Sequence, residues 1–179
     1  LAAAAKKYAP DVERVVILSP DKDMSQLYGD PRIVGFDRRR SAFIDTAGVW
    51  DKFGVAPESI PDYLALVGDT ADGIPGLAGW GAKSTSAVLG RYTHLESVPP
   101  SADDWDVTVR GAAKLAETLQ ANMEAAILYR DLATLRTDAD IPESLDDIAW
   151  KGANRVAFTE LCAELGFGGI RNRPKRWID

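Results

Sequence analysis

Two closely spaced pairs of aspartates carry most of the chemistry that this sequence offers. The first pair, Asp21 and Asp23, follows an apolar β-branched run, and the second pair, Asp69 and Asp72, follows Gly68. Two carboxylates at such spacing repel one another unless a cation or protons intervene. If the turn after Gly68 is helical, Asp69 and Asp72 share one face. We therefore expect the four carboxylates to line one pocket and to bind a divalent cation.

The rest of the composition limits which ion and which reaction are available. The chain has one cysteine, Cys162, and one histidine, His94. This excludes a disulfide framework, a zinc cluster and nearly every histidine-dependent nucleophilic site. We expect Cys162 to lie in the core and His94 to pack or face solvent. Ligation by oxygen alone favours Mg²⁺ or Mn²⁺, and two such ions about 3.5–4 Å apart can drive phosphodiester hydrolysis.

Each aspartate pair also has other interpretations. Asp21 and Asp23 are compatible with an Asx turn after a strand, and Asp69 and Asp72 with a helix cap and a turn aspartate. A third hypothesis makes Asp21 the aspartyl nucleophile of a phosphatase-type site, with Asp23 as the acid/base. That hypothesis leaves the second pair and the glycine-rich segment after it unexplained.

The segment 74–85, IPGLAGWGAKST, is the most specific motif in the chain. Its glycines allow positive φ and close backbone approach, and a helix starting directly after them presents free N–H groups to an anion. Ala82 separates Gly81 from Lys83, so the Walker spacing fails. A glycine-rich turn that merely lets two helices pack is the alternative. We predict a helix-hairpin-helix clamp that contacts DNA phosphates through Gly76, Gly79, Gly81, Lys83, Ser84 and Thr85.

The charge balance excludes binding of nucleic acid or membrane by bulk positive charge. The chain has 27 acidic and 21 basic residues and a net charge of −6. Basic residues cluster locally in 38–40 and 171–176, where a solvated face is the simpler interpretation. We nevertheless assign Arg38 and Arg39 to DNA contacts. With no apolar run near the roughly 18 residues of a membrane span, we expect a cytoplasmic protein without a membrane partner.

The sequence patterns around these residues predict a helix-rich α/β fold, whose strands and helices would position the aspartates and the hairpin. Residues 15–18 and 32–36 have the β-branched composition of buried parallel strands. Residues 1–55 would form the end of a mostly parallel sheet, and residues 56–179 a helical helix-hairpin-helix region, packed together as one compact unit. Helical spacing and glycine or proline punctuation predict helices at 46–53, 57–67, 83–89, 107–119, 122–133 and 156–165.

In order and spacing these motifs resemble the 5′-to-3′ exonuclease and flap endonuclease superfamily, especially the bacterial type found at the N-terminus of DNA polymerase I. The similar segments are VVILSPDKDMSQL, FGVAPESIPDYLALVGDTADGIPG and GLAGWGAKSTSAVL. The resemblance implies a PIN-like nuclease core and a structure-specific 5′ nuclease that uses two divalent metal ions. Its substrates would be DNA with 5′ ends, flaps or nicks, cut by a monomeric, nucleoid-associated enzyme of replication and repair.

The resemblance also implies roles for individual residues. Asp21, Asp23, Asp69 and Asp72 match the family's second acidic cluster, whereas its first cluster and helical arch would precede Leu1. We therefore expect the chain to be the C-terminal portion of a longer nuclease, inactive alone; a non-catalytic DNA-binding module is the alternative. The family's hairpin also binds a monovalent cation, usually K⁺, and the matching positions are Leu77, Gly79 and Ser84. Trp80 replaces an aliphatic residue, and we expect it to pack inward.

Overall fold

The computed structural model describes residues 1–178, and these pack as two compact units. The units are Leu1–Asp140 and Ile141–Asp179. Residue 179 itself is not among the described residues. The functional division predicted at residue 55 falls within the first unit and stays a prediction. Among the described residues, no helix is long and apolar enough to cross a membrane.

A three-stranded sheet forms the beginning of the first unit. Strand β1, Val15–Ile17, runs parallel to β2, Ile33–Asp37, which pairs in antiparallel fashion with β3, Ala42–Ile44. Val16 lies opposite Val34 in the parallel pair. Both predicted strands are therefore present and parallel, and the chain adds an unpredicted third.

The hairpin between β2 and β3 has the three arginines at its tip. Oδ1 of Asp37 accepts hydrogen bonds from the amides of Arg39 and Arg40, at 2.8 and 3.2 Å. An aspartate that binds the amides two and three residues later closes a tight turn. The basic run is therefore the turn that reverses the chain, and β3 follows it directly.

Helix α3, Ile60–Val67, forms the centre of the core in this unit. It packs against α4, Ala82–Tyr92, and α6, Met123–Ala133. Ile60 and Leu64 are fully buried on it, as their apolar spacing predicts. The first turn of the predicted 57–67 helix is a 3₁₀ turn, after which α3 begins. The remaining helices of the unit are α1, Ala2–Tyr8, α2, Thr46–Phe53, and α5, Ala112–Ala121.

Local side-chain and backbone chemistry sets the helix ends. Asp45 caps α2 by accepting a hydrogen bond from the Gly48 amide at 3.0 Å, and Gly54 ends it with a φ of 67°. Helix α5 starts later than the predicted residue 107, because Gly111 takes a φ of 73° immediately before it. A left-handed residue cannot continue a right-handed helix.

The second unit contains two short helices and a two-stranded sheet. Helix α7 is Leu145–Ile148 and α8 is Arg155–Glu164, while strands β4, Ala153–Asn154, and β5, Trp177–Ile178, run parallel. Cys162 on α8 is buried, as predicted. The predicted helix-rich α/β fold is confirmed.

Candidate metal and nucleic-acid site

The first aspartate pair follows β1 directly. The dipeptide 19–20, Ser-Pro, prevents the strand from continuing, and Asp21 then begins a 3₁₀ turn over Lys22–Leu27. Oδ1 of Asp21 accepts a hydrogen bond from the Asp23 amide at 3.0 Å. The turn carries Asp23 inward, where 8% of its surface stays exposed, while Asp21 remains on the surface.

The second pair is held by a closed loop rather than by a helical turn. Asp69 and Ile74 pair their backbones in antiparallel fashion, with N–O distances of 2.7 and 2.8 Å. Oδ1 of Asp69 accepts a hydrogen bond from the Ala71 amide at 3.1 Å, and Gly73 turns the chain with a φ of 73°. Asp72 is thereby returned to the neighbourhood of the Asp69 carboxylate. The loop produces the convergence that we expected from a helix.

Two glycines seat this loop on the end of α3. A Cβ on Gly76 would lie 2.7 Å from the Gly68 nitrogen, and a Cβ on Gly68 would lie 2.8 Å from the Ile74 carbonyl oxygen. Both residues also have positive φ, of 72° and 87°, a conformation that glycine adopts without steric cost. The Leu77 amide then donates to the Leu66 carbonyl at 2.9 Å. The position of Asp69 therefore depends on this close backbone contact.

Three of the four predicted aspartates meet in space. Carboxylate oxygens of Asp23, Asp69 and Asp72 all lie within 4.8 Å of one another. Asp21 does not join this cluster, because its carboxylate caps the 3₁₀ turn instead. We refer to Asp23, Asp69 and Asp72 as the acidic cluster.

Crowding of like charges perturbs the proton affinities in the acidic cluster. Burial, reinforced by the charges of Asp21, Asp72 and Asp69, raises the pKa of Asp23 to about 6. The neighbouring charge of Asp69 raises the pKa of Asp72. In contrast, a hydrogen bond from Lys22 lowers the pKa of Asp69. Asp23 and Asp72 therefore hold a proton more strongly than a free aspartate does, and Asp69 holds one less strongly.

Lys22 is the one member of the site that the sequence analysis missed. Its ammonium nitrogen lies 2.7 Å from Oδ2 of Asp69. The residue stands between the two aspartates of the first pair, and this alternation of charge was the available signal. Lys22 also lines a cavity of about 580 Å³ with residues of the Asp69 loop, Val67, Gly68, Asp69, Thr70, Ala71, Gly73, Ile74 and Pro75.

The acidic cluster fits a hard divalent cation. Its donors are carboxylate oxygens, the ligands that Mg²⁺ and Mn²⁺ prefer. Oδ1 of Asp23 is buried and has no hydrogen-bond partner among residues 1–178. A buried carboxylate oxygen without a partner is unfavourable unless a cation or proton satisfies it.

The glycine-rich hairpin leads into α4, and the first backbone amides of this helix are available to a ligand. Gly81 precedes the helix, and Ser84 pairs with it twice: the Gly81 amide donates to Ser84 Oγ at 3.1 Å, and this hydroxyl donates to the Gly81 carbonyl at 3.0 Å. Amides in the first turn of a helix have no acceptor within the helix. Lys83 is exposed in that turn. The helix start therefore offers N–H groups and one cation to an anion.

Other predicted hairpin residues are turned towards the protein. Thr85 is completely buried, so its hydroxyl does not face the surface that a phosphate would approach. Trp80 packs inward as expected, with Nε1 donating to the Leu115 carbonyl at 3.2 Å. The predicted monovalent-cation positions differ in access: Leu77 is buried and its carbonyl accepts from the Trp80 amide at 3.1 Å, whereas Gly79 is exposed.

The predicted basic contacts lie beside Asp21. Arg38 and Arg39 are exposed at the tip of the β2–β3 hairpin. They line a second cavity, of about 390 Å³, together with Asp21 and Lys52. The two arginines are therefore neighbours of the first aspartate pair and do not line the cavity beside Asp69.

Solved structures with a similar fold are 5′ nucleases. Bacteriophage T5 5′-exonuclease with bound zinc matches with a TM-score of 0.60 at 20% identity, over 74% of this chain and 48% of that one. A T5 flap endonuclease in a pseudo-enzyme-product complex with DNA and metal ions matches with a TM-score of 0.59, also at 20% identity, over 74% of this chain and 47% of that one. The fold is that of a 5′ nuclease.

The sequence places the chain within one family. Residues 55–156, more than half of the chain, match the family model described as 5′-3′ exonuclease, C-terminal SAM fold, and the chain belongs to that family. It is 36% identical to DNA polymerase I of Bacillus caldotenax, over 93% of this chain and 18% of that protein. It is also 36% identical to a 5′-3′ exonuclease of Aquifex aeolicus, over 92% of this chain and 54% of that protein. The chain thus spans about half the length of a free-standing relative and under a fifth of a polymerase.

Proposed function

We propose that the chain acts in structure-specific 5′-3′ exonuclease and 5′-flap endonuclease cleavage of DNA by two-metal hydrolysis. In this proposal it supplies carboxylates for the second metal ion and the clamp that holds the duplex. The observation that carries the proposal is the convergence of Asp23, Asp69 and Asp72 within 4.8 Å. Family membership supports the same reaction class.

Asp23 and Asp69 are the proposed principal ligands, because both are buried and Asp23 has an unsatisfied oxygen. Asp72, which is exposed, would bind the ion from the solvent side. Asp21 would support the site indirectly, because it fixes the turn that orients Asp23. Mg²⁺ or Mn²⁺ held there supplies Lewis acidity towards a phosphodiester. The Asp69 loop positions Asp69 and Asp72, and the 3₁₀ turn positions Asp23.

The proposed clamp uses the start of α4. The first-turn amides and Lys83 would bind backbone phosphates without reading bases. Gly79 would let the exposed hairpin backbone come close, while Gly76 keeps the hairpin against the end of α3. Arg38 and Arg39 would extend this contact beyond Asp21. We also propose that carbonyls near Leu77 and Gly79, with the Ser84 hydroxyl, bind K⁺ where the hairpin meets DNA. The substrates would be 5′ ends, flaps and nicks met by a monomer in nucleoid replication and repair.

One gel assay tests the proposal. The chain is mixed with a labelled 5′-flap duplex in Mn²⁺ or in chelator, and both shifted and cut DNA are measured. A shift without cutting is expected for a chain that is inactive alone, and Mn²⁺-dependent cutting that Asp69→Ala abolishes would show that the carboxylates of this chain suffice. A shift that does not depend on Mn²⁺ would favour a non-catalytic DNA-binding module, and the absence of both signals would overturn the proposal.

A further inference from the structure

Lys22 occupies an unusual position within a group of acids. It is flanked in sequence by Asp21 and Asp23, yet its side chain reaches across to Asp69, with a nitrogen–oxygen distance of 2.7 Å. The Lys22 side chain is 35% exposed, whereas that of Asp69 is 5% exposed. This pair is therefore a charge-assisted hydrogen bond to a buried carboxylate, which is stronger than a typical surface ion pair.

The contact between Lys22 and Asp69 matters because the carboxylates around it outnumber the cations. Among residues 1–178, Lys22 makes the only recorded ion pair to Asp21 or to any member of the cluster. Its charge also acts on Asp23 and Asp72. One lysine thus acts on all three carboxylates of the acidic cluster, and it is directly bonded to Asp69.

The two oxygens of Asp69 are already in use. Oδ1 accepts from the Ala71 amide at 3.1 Å, and Oδ2 accepts from Lys22. A cation that binds the cluster through Asp69 must therefore share Oδ2 with the ammonium group or replace it there. Asp23 Oδ1, which is buried and unpartnered, imposes no such competition.

We propose that Lys22 is the resident counter-ion of the acidic cluster, stabilising Asp69 without a divalent cation and setting the concentration at which such a cation binds. This inference rests on the proposed metal site. Lys22 also favours divalent over monovalent ions. A monovalent ion only replaces one positive charge by another, whereas a divalent ion adds the further charge that the surplus carboxylates require.

Binding of Mn²⁺ alone, measured by loss of the free-ion electron paramagnetic resonance signal at low ionic strength, tests the inference without any activity assay. Lys22→Met removes the competitor and its charge, so we expect Mn²⁺ to bind about tenfold more tightly. Lys22→Arg keeps the charge and should bind within about twofold of the unmodified chain. Lys114→Met, which removes one exposed charge on α5, is the matched control.

The outcomes separate this inference from the proposed function. Mn²⁺ binding by the unmodified chain with no tightening in Lys22→Met overturns the counter-ion role and leaves the metal site intact. Equal tightening in Lys114→Met also overturns it, because the effect would then be one of net charge. If no variant binds Mn²⁺, the metal site fails and the inference fails with it. Lys22→Gln is the second charge-removing variant if Lys22→Met does not fold.

Discussion

Nδ1 of His94 lies 3.0 Å from Oδ2 of Asp62, a carboxylate of which 1% is exposed. The other oxygen of Asp62 lies 3.3 Å from both the Arg130 guanidinium and the Leu95 amide. This network joins α3, α6 and the segment after α4. His94 therefore both packs and reaches solvent, and its main contact is a buried acid that is not part of the acidic cluster.

Asp62→Ala should lower the free energy of unfolding by about 3 kcal/mol, because it leaves Arg130 and the Leu95 amide without their buried acceptor. Urea unfolding followed by circular dichroism measures this. Asp106→Ala is the control, since its pair with Arg91 is exposed on both sides and should contribute less than about 1 kcal/mol. Similar decreases in the free energy of unfolding in the two variants would show that the buried network stabilises the fold no more than an exposed ion pair does.

The raised pKa of Asp23 predicts a pH dependence of stability in chelator. An acid whose pKa is about 6 in the fold and ordinary in the unfolded chain stabilises the fold most below the ordinary value. That contribution is lost as the pH rises through about 6. We therefore expect Asp23→Asn to gain stability relative to the unmodified chain between pH 4 and pH 7.5. Urea unfolding across that range measures the difference, and parallel curves would contradict the prediction.

Gly76→Ala should destabilise the chain more than Gly111→Ala. Both glycines have nearly the same φ, 72° and 73°, but a Cβ at Gly76 meets backbone atoms at 2.7 Å, whereas one at Gly111 meets nothing within 4 Å. Gly111→Ala should therefore cost only about 1 kcal/mol of backbone strain, and Gly76→Ala clearly more. Thermal unfolding of the two variants makes the comparison. Equal destabilisation of the two variants would mean that glycine is required at residue 76 for its positive φ alone and not for the close backbone contact.

The proposed clamp predicts two distinct effects on DNA binding. Lys83→Ala should weaken binding and reduce the slope of log affinity against log salt by about 0.9, as expected for one lost phosphate contact. Lys6→Ala, an exposed lysine on α1, should leave the slope unchanged. Fluorescence anisotropy at several salt concentrations measures both, and an unchanged slope in Lys83→Ala would remove that residue from the interface.

Gly81→Val tests backbone approach without disturbing the fold. Gly81 has an extended backbone, with φ −140° and ψ 171°, and a Cβ there would meet nothing within 4 Å. We expect an unchanged melting temperature and weaker DNA binding, because the added side chain would keep a phosphate away from the helix start. An unchanged DNA affinity of Gly81→Val would show that the hairpin backbone does not contact DNA.

The sequence by itself determined features that depend on neighbouring residues. Strand β1 and the turn at Asp21, the end of α2 at Gly54 and the hairpin before α4 all follow from apolar patterning and from proline, glycine and aspartate chemistry within a few positions. The aspartates of the candidate site could be named for the same reason. Inward packing of Trp80 was also predictable, since a large indole gains most by burial.

The tertiary structure alone decided which of these residues meet. Asp23 and Asp69 belong to different elements, so their distance depends on how the 3₁₀ turn and the Asp69 loop pack against α3. The same packing excluded Asp21 from the cluster and brought Lys22 to Asp69, while Thr85 is buried on α4, which packs against α3. Strand β3 escaped prediction because a short strand is stabilised by its partner strand rather than by its own residues. Turn and helix signals are local, whereas burial and charge pairing arise between distant segments, and these set the chemistry of the site.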